Sequence, residues 1–148
     1  MGIVQWKNKL VRFGRLDGAD KRLLLRAAAW LAVARIRLVS TPFSRLTERL
    51  SADSDVTKAE PDEDVLRRIG FAVRVAAGHV PWRSDCFPQT IAARMLLKRL
   101  GYASTIHIGV ERVDQDDIGG HAWLTCGETV VVGGEDLDRY TEMHRLSA

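Results

Sequence analysis

The sequence predicts an α+β fold in which helices come first and a small antiparallel sheet follows. Three observations carry this. Between Asp17 and Gly101 the apolar residues recur at helical spacing, in stretches punctuated by capping residues, proline and glycine. From Thr105 the period shortens to two, the spacing of a strand with one buried face. The strand-like runs are then separated by a polar loop or a tight turn rather than by helix-length crossovers. At 148 residues and 46% hydrophobic composition, the chain suits one domain with a real core. We divide it into an N-terminal helical region, residues 1–60, and a second part, residues 61–148, within one folding unit.

Residues 1–17 form a basic lead-in with Trp6 and Phe13. Asp17 or Asp20 is suited to cap a helix running to about Val39, with Leu24, Ala27, Ala28, Leu31 and Leu38 on its apolar side and Arg22, Arg26, Arg35 and Arg37 interrupting the surface. Ser40-Thr41-Pro42 ends it and opens a short helix to about Leu50. A polar loop spans Ser51 to Glu60. Pro61-Asp62-Glu63-Asp64 is a strong helix start, because proline fits the first turn and acids complement the dipole. Val65, Ile69, Ala72, Val73 and Ala76 extend that helix toward Gly78. After the Pro81–Asp85 loop comes a helix with Ile91, Ala92, Met95, Leu96 and Leu100 at apolar positions, stopped at Gly101. Strands follow at Thr105–Glu111, His121–Thr125 and Thr129–Val132, with Asp114–Gly120 as a loop and Gly127-Glu128 as a tight turn. Gly133-Gly134 bends the chain.

Cys86 is the most informative residue, because it lies at or just before a helix N-terminus. A thiolate, not a thiol, is the nucleophile, and unsatisfied helix N–H groups favour an anion there. Thirty-five residues later His121 opens the His121-Ala122-Trp123-Leu124 run. Glu135, Asp136 and Asp138 follow the next strand. Cysteine, histidine and acid in that order make a nucleophile, a base that takes its proton, and a group that holds the imidazole in one tautomer. Of the acids, Asp136 is the first choice, with Glu135 and Asp138 as alternatives; Asp136 or Asp138 is equally suited to cap a terminal helix. Asp85 counts against activation if it points toward the thiol and is neutral if it caps the helix. Alternation puts His121 and Trp123 on one face of their strand, opposite Ala122 and Leu124. Gln89 is placed toward solvent, with donation to an oxyanion as the alternative, His107 as structural or surface, His79 near the loop, His144 in the tail, and Cys126 as a buried strand thiol.

Several classes of function are disfavoured. Zinc-ligand spacings, an acidic calcium loop and a phosphate-binding glycine loop are missing, so we expect no metal and no cofactor. Two cysteines make no disulfide framework, and the start lacks the apolar centre of a signal peptide. The longest uncharged apolar run, Ala27 to Ala34, is too short to span a membrane. We expect a cytoplasmic protein. The net charge of +3 hides an asymmetry: residues 1–50 hold eleven Lys or Arg against Asp17, Asp20 and Glu48, whereas residues 51–148 are net acidic. Such basic residues coat a solvated helix face; the sharper reading is a basic surface for an acidic partner peptide, formed by Arg22, Arg26, Arg35 and Arg37. No zinc-finger spacing, helix-turn-helix or aromatic RNA-binding signature supports nucleic acid.

Pro81-Trp82 followed by Cys86, the helix Ala92–Gly101, Ile108-Gly109-Val110, His121-Ala122-Trp123-Leu124 and Val130-Val131-Val132-Gly133-Gly134-Glu135-Asp136 resemble the lasso-peptide leader peptidases. These are transglutaminase-like cysteine peptidases and include the microcin-processing B proteins. The resemblance runs from about Ala27 to Leu146. It implies N-terminal helices packed on a core of a cysteine-bearing helix and a small sheet. It also implies cleavage of a precursor's leader peptide, freeing an amine that a separate lasso cyclase uses. The N-terminal part looks too short for a fused leader-recognition domain, so a separate small recognition protein is implied as a partner. The chain departs from the family in Phe87-Pro88-Gln89 after the cysteine, and in having Gly133-Gly134 where the family's acid often falls. The rival readings are a transglutaminase-like acyltransferase or amidase, and a non-catalytic peptide-binding adaptor.

Overall fold

The computed structural model describes residues 16–52, 60–112 and 118–147. Helix α1 spans Gly18–Ser40 and begins at Asp17, whose carboxylate accepts from the Asp20 N–H at 2.8 Å. Helix α2 spans Phe43–Ala52 and buries Leu46 and Leu50. Helix α3 spans Glu63–Ala77. Asp62 caps it by accepting from the Asp64 and Val65 N–H groups, the acidic start the sequence calls for. Helix α4 spans Cys86–Arg99. The basic lead-in with Trp6 and Phe13, most of the loop after Leu50 and the first part of the loop after Arg112 lie outside the described residues.

The sheet has four antiparallel strands: β1 (Thr105–Arg112), β2 (Ile118–Cys126), β3 (Thr129–Val132) and β4 (Thr141–Ser147), in the order β3-β2-β1-β4. Strand β2 starts at Ile118, three residues before His121, so Gly119 and Gly120 pair with Glu111 and Val110 instead of forming a loop. Strand β4 replaces the expected terminal tail. Only Leu146 of its residues is buried, so the strand shows no apolar alternation and takes its stability from pairing with β1. The α+β order itself is as expected.

Helix α4 lies at the centre. It buries Pro88, Thr90, Ile91, Ala92, Ala93, Arg94, Leu96 and Leu97, and its neighbours are α1, α3 and the sheet. Helix α1 contributes Leu24, Ala27, Leu31 and Ala34 to the same core; α3 adds Leu66, Ile69 and Val73; the sheet adds Ile106, Leu124, Val132 and Leu146. Arg68 on α3 pairs with Asp20 on α1 at 2.6 Å, across their exposed rims. Among the described residues no helix is long and apolar enough to cross a membrane.

One close approach sets the spacing between α3 and the sheet. A Cβ on Gly70 would stand 2.2 Å from the Val131 carbonyl oxygen, so α3 can abut β3 only without a side chain there. One turn later Arg74 Nη1 donates to that carbonyl at 3.3 Å. Helix α3 thereby covers an edge of the sheet. Gly70→Ala is expected to cost roughly 1–3 kcal/mol, because the clashing atom is backbone and cannot swing away. Urea unfolding followed by circular dichroism checks this, and an unchanged midpoint would refute the close approach.

Candidate active site

Cys86 is the first residue of α4. In an α-helix the first N–H groups have no intrahelical acceptor. Here Pro88 carries no N–H, and the Gln89 N–H already bonds the Asp85 carbonyl at 3.3 Å. The Cys86 and Phe87 N–H groups are left to receive an anion. Asp85 occupies the N-cap position in extended conformation, but its side chain makes no cap hydrogen bond. Its Oδ2 lies 2.7 Å from Arg83 Nε, so the adjacent carboxylate is ion-paired rather than engaged at the helix end. Of the two alternatives for Asp85, capping is not taken up, and the helix end stays open.

His121 sits in β2, and its Nε2 lies 2.7 Å from the Gly133 carbonyl oxygen. A carbonyl only accepts, so Nε2 is the protonated nitrogen and Nδ1 carries the lone pair of the neutral ring. The ring is also stacked, at 4.5 Å on Tyr140 and at 6.1 Å on Trp123. Trp123 in turn stacks on His107 at 5.2 Å, the shared face that strand alternation predicts. His107 is buried and bonds Thr125 Oγ1 at 2.9 Å, while Nδ1 lies 3.2 Å from Glu142 Oε2. It is a structural histidine.

Cys86 and His121 line one open cleft of about 410 Å³, together with Arg74, Ala77, Gly78, Ser84, Gln89, Gly133 and Glu135. Asp136 is not among these lining residues. It is exposed, has a left-handed φ of 52°, and occupies the N-cap of a short 3₁₀ turn, Leu137–Arg139, without a side-chain cap bond. Asp138 is exposed within that turn. Of the three acids only Glu135 reaches the cleft wall. The contact that the sequence assigns to an acid is made by the Gly133 carbonyl, at the Gly133-Gly134 step where the resemblance places the acid.

Gln89 differs from its expected solvent placement. It lines the cleft, and its Nε2 donates to the Ser84 carbonyl at 2.9 Å, bracing the loop before the cysteine. His79 is exposed, with Nδ1 2.6 Å from the Val75 carbonyl, and does not line the cleft. Arg74 and Ser84 are lining residues that sequence reasoning missed. Arg74 lies inside an apolar run whose periodicity gives a charge no special meaning. Ser84 Oγ and Trp82 Nε1 are buried and have no protein partner among the described residues, so both remain available as donors. Only the shortness of the Trp82–Cys86 spacing hints at this.

Among the described residues no group of three or more His, Cys, Asp or Glu could hold a metal. The family model of the transglutaminase-like superfamily matches residues 28–145. The chain belongs to that superfamily. Its members generally include cysteine hydrolases and acyltransferases. No curated protein and no solved structure matches the chain.

In a transglutaminase-like frame the Cys86–His121 cleft is the candidate reactive centre, and two outcomes test it. Iodoacetamide at neutral pH is expected to modify Cys86 well before Cys126. Burial pushes the Cys126 thiol up, and its Sγ donates to the Ala103 carbonyl at 3.2 Å. Peptide mapping after limited alkylation reads this directly; equal labelling of the two cysteines would refute a selectively exposed Cys86. Gly133→Ala is expected to slow that labelling and to destabilise the fold by roughly 1–3 kcal/mol. Gly133 has φ +76°, and a Cβ there would stand 2.5 Å from the Ala122 carbonyl oxygen. Gly134→Ala, which meets only the Val130 side chain, serves as the control.

Proposed function

We propose that the protein is a cysteine peptidase that removes the leader peptide from a lasso-peptide precursor. It works in the cytoplasm with a separate small leader-recognition protein and a lasso cyclase. The observation that carries the chemical part is the pairing, in one cleft, of a helix-initial Cys86 with a His121 whose Nε2 is engaged by a carbonyl. Such a histidine presents Nδ1 as its basic nitrogen. The leader-peptide substrate and the two partners rest on the sequence resemblance.

In this reading His121 Nδ1 takes the proton of the Cys86 thiol as sulfur attacks the scissile carbonyl. The Cys86 and Phe87 N–H groups receive the oxyanion, with Ser84 Oγ within the same cleft wall as a further donor. His121 then gives its Nδ1 proton to the leaving amine, which departs and leaves a thioester on Cys86. Water, deprotonated by His121, hydrolyses that thioester and restores the thiol. The Gly133 carbonyl takes over the orienting role first assigned to Asp136. It has no full charge to offset the imidazolium, and the nearby Glu135 carboxylate supplies one at longer range.

The test is mass spectrometry of a precursor peptide incubated with the chain or its Cys86→Ala variant, each with the recognition protein present. A leader fragment formed only by the native chain is expected, and its mass names the scissile bond. Adding an amine and finding an amide product in place of a free acid would favour the acyltransferase reading. No product from a folded native chain would favour the adaptor. Asp136→Asn is expected to keep turnover within about threefold of native, whereas His121→Ala is expected to lose at least about a thousandfold. A large loss in Asp136→Asn would return the orienting role to that carboxylate.

A further inference from the structure

Helix α1 carries apolar residues on two opposite sides. One side, Leu24, Ala27, Leu31 and Ala34, is buried in the core. The other holds Leu25, Ala29, Ala32, Ile36 and Val39, spaced by alternating steps of four and three residues. Leu25 is 63% exposed, Ile36 65% and Val39 73%, so nothing among the described residues covers this side. Alternating three-and-four spacing is the seam of a coiled coil, with Leu25, Ala32 and Val39 at d positions and Ala29 and Ile36 at a positions. In that frame Arg26 falls at e and Arg35 at g, both exposed, and Arg22 closes the N-terminal end of the seam.

We infer that this seam docks an acidic amphipathic helix of another protein. The spacing selects a helix, because only knobs from a facing helix fill a heptad seam. The small Ala29 and Ala32 let that helix approach closely at mid-seam. Arg26 and Arg35 select the charge, since e and g positions set the choice of partner through interhelical ion pairs. From Leu25 to Val39 the seam is about 21 Å long at 1.5 Å per residue, so the partner contributes about two heptads.

Three other occupants fit less well. A second copy packed about a two-fold axis would set arginines against arginines. Residues 1–15 of the chain hold Lys7, Lys9, Arg12 and Arg15 and no acid, so they offer no opposite charge to Arg26 and Arg35. A lipid surface favours a broad apolar face with aromatic residues, and this seam is one residue wide and has no Phe, Trp or Tyr. None of the seam residues lines the Cys86 cleft, so docking and chemistry are separable.

The full chain is titrated with two fluorescent peptides of about three heptads, both with Leu at a and d, one with Glu and one with Lys at e and g. Anisotropy at physiological salt is expected to show the Glu peptide binding at least about tenfold more tightly than the Lys peptide. Ile36→Ser with Val39→Ser is expected to abolish binding, and Arg26→Glu with Arg35→Glu to reverse the preference. A reversal cannot come from misfolding, and unchanged Cys86 alkylation in both variants confirms an intact fold. Equal binding of the two peptides, or binding of neither, overturns the proposal. Binding to phosphatidylglycerol vesicles without any peptide preference would assign the seam to lipid. Self-association abolished by Ile36→Ser would assign it to a second copy. Either outcome also overturns it.

Discussion

The rest of the structure depends on a helix that must be buried on every side. Helix α4 has apolar residues around nearly its whole circumference, so no single packing partner satisfies it. Helices α1 and α3 and the sheet enclose it, each with its buried side. Among the described residues the charged group drawn into this core is Arg94, 2% exposed. Its guanidinium donates to the Leu146 carbonyl of β4 at 3.0 Å and to the Leu50 carbonyl of α2. A buried guanidinium is costly unless its donors are met. Arg94 therefore works as a tie, fixing the last strand and the short second helix against α4. With its barrel held this way, the N-terminus of α4 has a fixed place, and so does Cys86.

The histidine is positioned by different means. Two rings and a turn hold His121: Trp123 and Tyr140 stack beside it, and the Gly133 carbonyl accepts from Nε2. That carbonyl points inward because Gly133 adopts a positive φ and leaves room for the Ala122 carbonyl. A carboxylate in the same place would hold the ring and also balance the imidazolium. A carbonyl holds it equally well by geometry but offsets less charge. The difference is a matter of energetics rather than shape, and Glu135 is the carboxylate that lines the same cleft.

Much of this was legible in the sequence, for reasons that differ by element. Asp17, Asp62 and the Pro61 start announce helices because caps are local chemistry, and the structure uses both aspartates in that way. The places of Cys86 at a helix start and of His121 on a strand were legible from caps and alternation, and the structure has both there. Strand β4 was not, because an edge strand with only Leu146 inward leaves no period to read. The carbonyl that meets His121 Nε2 was not legible either. Acidic residues advertise themselves, and a backbone carbonyl at Gly133 does not. Arg74 and Ser84 reach the cleft through the packing of α3 on β3 and the bracing of the loop by Gln89, both of which are tertiary facts.

The open shape of the cleft bears on how such a site could be selective. A cleft of about 410 Å³ with few charged walls grips only a short stretch of chain around the reacting bond. Binding energy for discrimination must then come from contacts made elsewhere, and tethering a substrate raises its effective concentration at the cleft without any new contact there. Arg26 and Arg35 are exposed on α1 and line no part of the cleft, so long side chains there can make contacts without disturbing Cys86 or His121. A domain this small has one core to build and one cleft to hold. Were recognition carried by the far side of α1, the cleft would need to be only as elaborate as bond chemistry requires.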